Sequence, residues 1–359
     1  METWRYIEEE RVPASFGLAA DEYLLGRAAI DRRATLRLYT YRSHAALVGR
    51  FQNVEAEVRV DECRLVGAEI NRRLTGGGAI VMGESQLGLA LTMPAAELPA
   101  RRNPAALFVH YAEPIVAGLR SLGVEAVFRP KNDIEVNGRK IAGLGVAFDE
   151  ADSLLFHCSL LVDLDVPLML RLLTIGPEKI SDKDIATFED RLTTVRRTAG
   201  ADVSVPDARK AIHDAFAKIL GVQFEPQGFR PSEMDAIHRL EEERYLTQDW
   251  VFQHMSPPDA TGSSVVKTPA GLLRVNVALA GDVMKSVVIT GDFFGDLKAL
   301  RNLEARLKWQ RADEANVGSA VKELWNDPVA VPVWELPPEE LAAAIMAAVD
   351  SAKRSSGAN

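Results

Sequence analysis

Two cysteines, Cys63 and Cys158, are all that the 359 residues contain. They stand too far apart for a Cys-x-x-Cys metal or redox motif. The six histidines show no His-x-x-x-His spacing, so a helix-borne zinc pair is excluded. No run of about 18 apolar residues occurs, and no membrane span is expected. The start, Met1-Glu-Thr-Trp-Arg-Tyr-Ile, lacks the apolar core of a signal peptide, so the cytoplasm is the expected compartment. Positive charge is short: 42 Lys and Arg against 51 Asp and Glu leave −9, which argues against a general nucleic-acid binder. The common phosphate loops are missing too. There is no Gly-x-x-x-x-Gly-Lys-Ser/Thr and no Gly-x-Gly-x-x-Gly after a strand.

What is present is a chain that is 47% hydrophobic, long enough to bury a substantial core and to hold two domains. Its most informative stretch is Arg72-Arg73-Leu74-Thr75-Gly76-Gly77-Gly78-Ala79-Ile80-Val81. Glycines let a backbone approach a ligand with no Cβ in the way, and successive N–H groups can then turn toward an anion. Two arginines beside the turn add charge-assisted hydrogen bonds suited to carboxylate or phosphate. The stretch reads as a site for an acyl group, a nucleotide, or a mixed anhydride of the two. A loose turn beside a solvated Arg pair is the bland alternative.

A second segment, residues 131–163, strengthens the first. Asn137-Gly138 between apolar runs signals a tight β-hairpin, with strands over residues 134–136 and 139–144. Asn132 and Asp133 fall at its mouth and Lys140 on the return strand. Gly143 and Gly145 leave that strand's backbone bare, as close approach of a ligand requires. Asp133 suits a magnesium ion, which takes oxygen ligands and bridges phosphates. Each residue has an ordinary reading as well: a solvated strand lysine, a turn-capping aspartate, and for His157 a hydrogen-bonded core histidine.

In this order, Arg-Arg-x-Thr-Gly-Gly-Gly-Ala-Ile, Asn-Asp-Ile, Asn-Gly-Arg-Lys-Ile-Ala-Gly and His157-Cys-Ser-Leu-Leu resemble the lipoate–protein ligase family, as does Gly49-Arg-Phe-Gln-Asn53 upstream. The resemblance spans most of residues 1–255. It implies an α+β fold: a mixed β-sheet catalytic domain of the biotin/lipoate ligase type over residues 1–255, and a small α/β accessory domain over 256–359. It implies that lipoate and ATP form lipoyl-AMP with Mg2+, and that the acyl group passes to a lysine of a lipoyl carrier protein. By that likeness Arg73, Thr75, Gly76, Gly77 and Gly78 wrap the acyl chain and its carboxylate. Asn132 and Asp133 lie near the nucleotide and its magnesium, Lys140 lies beside the acyl carbonyl and α-phosphate, and His157 matches the family's histidine. Met82-Gly83 stands where the family usually has His-Asp, and Cys158 where it usually has Gly. Met82-Gly83 hints at a specialised branch, such as one that modifies glycine-cleavage-H-like lipoate-binding proteins of sulfur oxidation. The accessory domain is expected to close for adenylation and swing away for transfer, and a monomer is expected.

Two other classes compete. A cysteine-dependent octanoyltransferase shares the resemblance and would use a thiolate without ATP. Cys158 is tempting there, yet it lies in an apolar strand-like run where an inert buried Cys is common. A non-catalytic lipoate-binding protein is the other, and Lys140, Asn132 and Asp133 weigh against it. A biotin ligase shares only richness in glycine and arginine.

Elsewhere the pattern predicts a helix over residues 21–32 with Leu24, Leu25 and Ala28 on one side, and strands over 36–41, 46–49 and 124–128. It predicts a helix from Asn103-Pro104 to about 122, and an amphipathic helix over 206–220 with Ala211, Ile212, Phe216 and Ile219 inward. After a linker over residues 254–264, strands are expected near 272–279 and 284–290, and a last helix over about 339–349.

Overall fold

A computed structural model describes residues 2–100, 103–174, 187–200, 202–253, 255–257, 259–325 and 332–356. His254 and Pro258, which belong to the expected linker, lie outside the described residues.

The first unit comprises residues 1–47, 58–75 and 80–251. Its strands are β1 (Glu2–Val12), β2 (Thr35–Tyr41), β3 (Ala45–Val48), β4 (Glu69–Arg72), β5 (Ile80–Met82), β6 (Gln86–Met93), β7 (Val127–Arg129), β8 (Asp133–Val136), β9 (Arg139–Phe148), β10 (Leu154–Leu161) and β11 (Val222–Pro226). Eight form one sheet in the order β11-β1-β2-β6-β10-β9-β8-β7, and β4-β3-β5 form a second. The β11–β1 and β1–β2 pairs are parallel, whereas β2–β6, β6–β10, β10–β9, β9–β8 and β8–β7 are antiparallel. The sheet is therefore mixed, and with its helices the fold is α+β.

Helix Ala14–Asp31 begins seven residues before the expected start. The stretch Ala14-Ser-Phe-Gly-Leu-Ala-Ala20 is buried on all sides, so it shows no amphipathic period to read. Leu24, Leu25 and Ala28 are buried as expected. Helix Pro104–Ser121 has Asn103 as its cap, whose side chain accepts from the Ala106 N–H at 3.1 Å. Helix Val205–Leu220 buries Ile212 and Phe216, but Ile219 is exposed; Arg209, beside Glu8 and Glu10, takes an inward place instead. The strand expected over 124–128 is displaced to Val127–Arg129.

The second unit comprises residues 48–57, 76–79 and 252–359. Its sheet is an antiparallel meander of β12 (Gly262–Thr268), β13 (Gly271–Ala280) and β14 (Val283–Gly291). β12 occupies part of the expected linker. Its Gly262 lies so close to the helix Pro338–Ser356 that a Cβ would come within 2.3 Å of the Ala348 carbonyl oxygen. The helix Leu297–Leu307, capped by Asp296, adds Leu300, Leu303 and Leu307 to one core with Phe51, Val275, Ile289 and Phe293.

In this unit Phe51 stacks on Phe293 at 4.9 Å, and the Gly49 N–H donates to Gln52 Oε1 at 2.9 Å. A Cβ on Gly49 would meet the Gly77 carbonyl oxygen at 2.0 Å, and one on Gly76 would meet that of Phe293 at 2.4 Å. Gly77 has φ +93°, a conformation that favours glycine. Two of the glycines thus answer to chain-on-chain packing, while Gly78 has only the Asp292 Cβ nearby, at 3.9 Å.

Candidate active site

Strand pairing in the first unit assembles the site. Gly145 of β9 lies opposite His157 of β10, His157 opposite Ala90 of β6, and Ala90 opposite Arg37 of β2. One step along, Gly143, Ser159, Gly88 and Tyr39 form a parallel row. Residues opposite one another share a sheet face, so these rows make a polar strip with small residues between the large ones. Gly88 makes room for Tyr39: a Cβ there would come within 2.5 Å of the ring. The reverse face carries Leu144, Cys158, Leu89 and Leu38.

Lys140 reaches the polar strip through a one-residue bulge. Ile134 pairs with Ala142 but Glu135 pairs with Lys140, leaving Ile141 as the extra residue on β9. Ordinary alternation would turn Lys140 to the face of Ala142 and Leu144. The bulge re-aims it, and its Nζ lies 3.1 Å from where a Gly143 Cβ would be. The backbone of Lys140 is held elsewhere: its N–H donates to Arg191 O, and its carbonyl accepts from Thr193 N–H, both at 2.9 Å. Asn137 (φ +50°) and Gly138 (φ +76°) form the two-residue turn that sets this register.

Asp133 and Asn132 stand at the hairpin mouth as the spacing implies. Asp133 Oδ1 is 2.6 Å from Lys140 Nζ. Asn132 donates through Nδ2 to the Leu144 carbonyl at 2.9 Å and accepts from the Leu144 N–H at 2.7 Å, so it ties the mouth to β9. Among the described residues, no group of three or more His, Cys, Asp or Glu side chains could hold a metal ion.

Thr75 and His157 meet on the polar strip. Thr75 Oγ1 lies 3.3 Å from His157 Nδ1, and a Cβ on Gly145 would sit 3.0 Å from that hydroxyl. His157 Nε2 lies 3.0 Å from Asp21 Oδ2. Asp21 also accepts from Arg37 Nη1 at 2.7 Å and from the Tyr39 hydroxyl at 3.3 Å, while Arg37 Nε donates to Glu9 at 2.6 Å. Burial opposes the Asp21 charge, but Arg37 and His157 outweigh it and lower the pKa. Burial likewise opposes the Arg37 charge, and the Asp21 and Glu9 carboxylates raise its pKa instead.

The two arginines before the glycines have separate surroundings. Arg73 donates to the Leu47 carbonyl at 2.7 Å, and burial pushes its guanidinium down to about 10. Arg72 donates to the carbonyls of Trp250 and Val251 at 3.1 and 2.9 Å. It anchors a chain segment, which corrects the expectation that both arginines face an anion. Gly76, Gly77 and Gly78 are in the second unit.

Cys158 is 4% exposed, and burial pushes its thiol up to about 12 against the pull of Lys140. Cys63, buried in the helix Val60–Val66, is pushed up to about 11, by burial and then by Glu62. Neither is poised as a thiolate.

Asp21, Arg37, Tyr39 and the Arg191–Thr193 clamp escaped the sequence reading. One signal existed for Asp21: it shares a helix face with Leu18, Leu24 and Leu25, where a charge is out of place.

Residues 13–217 match the family described as the lipoyl protein ligase A/B catalytic domain. The chain is 26% identical over 277 residues to octanoyltransferase LipM of Bacillus subtilis, covering 70% of this chain and 99% of that protein. It is 25% identical over 304 residues to lipoate-protein ligase LplJ of the same organism, covering 84% and 88%. A bipartite lipoate protein ligase from Thermoplasma acidophilum, solved in a study with its E2 lipoyl domain, superimposes with TM-score 0.64 at 25% identity, covering 72% of this chain and 98% of that one.

Proposed function

Because the chain belongs to the lipoyl protein ligase A/B catalytic domain family of protein-lipoylating enzymes, we propose that it is the ATP-dependent kind. It would activate lipoate or octanoate as the acyl-adenylate and transfer the acyl group to a lysine of a lipoyl carrier protein. The observation that carries this reading is the state of the thiols. A transferase that works through an acyl-enzyme needs a reactive cysteine. The chain has two, both buried, with thiols pushed up to about 11 and 12. A buried neutral thiol is inert.

Adenylation needs no covalent enzyme intermediate. It brings a carboxylate onto a triphosphate, so repulsion must be neutralised where the bond forms. Lys140 is proposed to leave Asp133 and sit between the acyl carboxylate and the α-phosphate as a point charge. Asp133, released, would face magnesium arriving with ATP as its substrate complex. Magnesium is ordinarily held through one or two carboxylates plus phosphates and waters rather than by a protein cage, so one aspartate suffices. Arg73 is proposed to hold the acyl carboxyl end, Thr75 to lie beside the acyl carbon, Asn132 to shape the nucleotide side, and bare Gly143 and Gly145 to admit the ligand. The bound anion would restore charge stabilisation that burial denies Arg73.

The similarity to LipM favours a second reading, octanoyl transfer from a carrier thioester without ATP. ATP–pyrophosphate exchange with lipoate, octanoate and biotin separates the two. Exchange that depends on lipoate or octanoate is expected. Its absence, together with an acyl group trapped on Cys63 or Cys158, would establish the transferase. Which carrier is modified is open to the same assay format: a lipoyl domain, a glycine-cleavage-H-like protein and a lipoate-binding protein of sulfur oxidation are the candidates to supply.

A further inference from the structure

The row Thr75–His157–Asp21 has a chemical direction. Asp21 already accepts from Arg37 and Tyr39, and an ionised carboxylate can only accept. The hydrogen between Asp21 and His157 therefore belongs to His157 Nε2. In the neutral ring Nδ1 is then the bare acceptor, and the hydrogen between it and Thr75 belongs to the threonine hydroxyl. That leaves Thr75 Oγ1 with lone pairs only for any ligand. It cannot donate to an oxyanion, but it can accept from an N–H. The bare backbone of Gly145 lets Thr75 pack against β9, since a Cβ there would stand 3.0 Å from this oxygen and 3.1 Å from the Thr75 Cβ.

From these contacts we infer that Thr75 and His157 accept the proton of the attacking carrier lysine, and that Asp21 and Arg37 are positioning residues that hold the ring in the required tautomer. The inference rests on the ligase reading. In the transfer step the lysine nitrogen forms an amide bond to the acyl carbon. The C–O bond of the mixed anhydride breaks, and AMP leaves with the bonding pair. The proton lost by nitrogen passes to Thr75 Oγ1 as that hydroxyl gives its own to His157 Nδ1. The resulting imidazolium faces the Asp21 carboxylate, an arrangement of hydroxyl, imidazole and carboxylate that works in other acyl transfers. Lys140 cannot serve here: an ammonium has no acceptor.

The test uses the full chain and preformed octanoyl-adenylate. Transfer is measured to the lysine of a lipoyl domain and, separately, to hydroxylamine, a weak base whose adduct sheds its proton to water. In His157→Gln and Thr75→Val the ratio of lysine rate to hydroxylamine rate should fall about 100-fold, the usual scale of general-base help. Thr75→Ser should restore most of it. A ratio unchanged in both variants, or equal loss toward both nucleophiles, overturns the inference and leaves the row a packing element. No transfer from the adenylate by the wild type overturns the ligase reading, and the inference with it.

Discussion

Lys140 Nζ and Asp133 Oδ1 sit 2.6 Å apart across the mouth of one hairpin, although neighbouring residues on the same two strands pair in a different register. A bulge at Ile141 makes that meeting possible. The pair is partly exposed, so it contributes little to stability, on the order of 0–1 kcal/mol. Its significance is placement.

Lys140→Ala is therefore expected to fold normally and to lose ATP–pyrophosphate exchange by about 100-fold or more, the scale of a preorganised charge at developing negative charge. Thermal unfolding and exchange are measured side by side. Exchange at the parent rate would remove Lys140 from the mechanism.

Cys158→Ala and Cys63→Ala should each keep most ATP-dependent lipoylation, and intact-mass spectrometry of the wild type should find no acyl-thioester. At pH 9 both native thiols should resist iodoacetamide far more than the unfolded chain does, because burial holds them at about 12 and about 11. Rapid alkylation of native Cys158 would contradict its assignment as inert.

Gly76→Ala should destabilise the second unit by about 1–3 kcal/mol, since its Cβ would meet the Phe293 carbonyl oxygen at 2.4 Å and a backbone atom cannot step aside cheaply. Gly78→Ala, with only the Asp292 Cβ at 3.9 Å, should be tolerated much better. Denaturant midpoints for the two variants decide it; equal midpoints would show that the glycines are interchangeable.

Glu304 gives a pH dependence with a definite sign. Burial raises its carboxyl to about 7, against the Ile289 N–H and Arg301. A folded pKa above the unfolded one means that ionisation opposes folding. The penalty is absent below the unfolded value of 4.5, and it grows as pH rises toward 7. Glu304→Gln should thus stabilise the second unit at pH 8 by about 1–3 kcal/mol and change little at pH 4.5. Asp21 acts oppositely: its lowered pKa supports stability above its unfolded value of 3.8, and that support is lost as pH falls through the folded value. Unfolding scans from pH 3 to 8 on parent and Glu304→Gln test both signs. A Glu304→Gln gain that is equal at every pH would refute the first.

The hairpin was legible because Asn-Gly fixes its own turn: a two-residue loop demands positive φ at both positions, and few residues supply it. The glycine-rich stretch and Lys140 were legible from residue type. The bulge was not, since Ile141 looks like any strand residue, and what stabilises it is the Arg191–Thr193 backbone, fifty positions away. Nor was the Asp21–His157 contact, which sheet register and a helix packed over the sheet bring together. The early start of the first helix was hidden by its burial on all sides, which erases periodicity. β12 was hidden by Gly and Ser, whose presence suggests a loop until a helix covers them.

The bulge has a consequence for how such a chain can diverge. Side chains along a strand alternate between two addresses, and the extra residue between Lys140 and Ala142 switches the lysine from one to the other. Substitution at Ile141 preserves that count; deletion reverses it and delivers the ammonium group to the side of Leu144 and Cys158. Between Asp133 and Gly143 the residue count therefore matters beside the residue types: a hairpin shortened by one at Ile141 would carry Lys140 to the opposite face and away from Asp133 even with every polar residue retained.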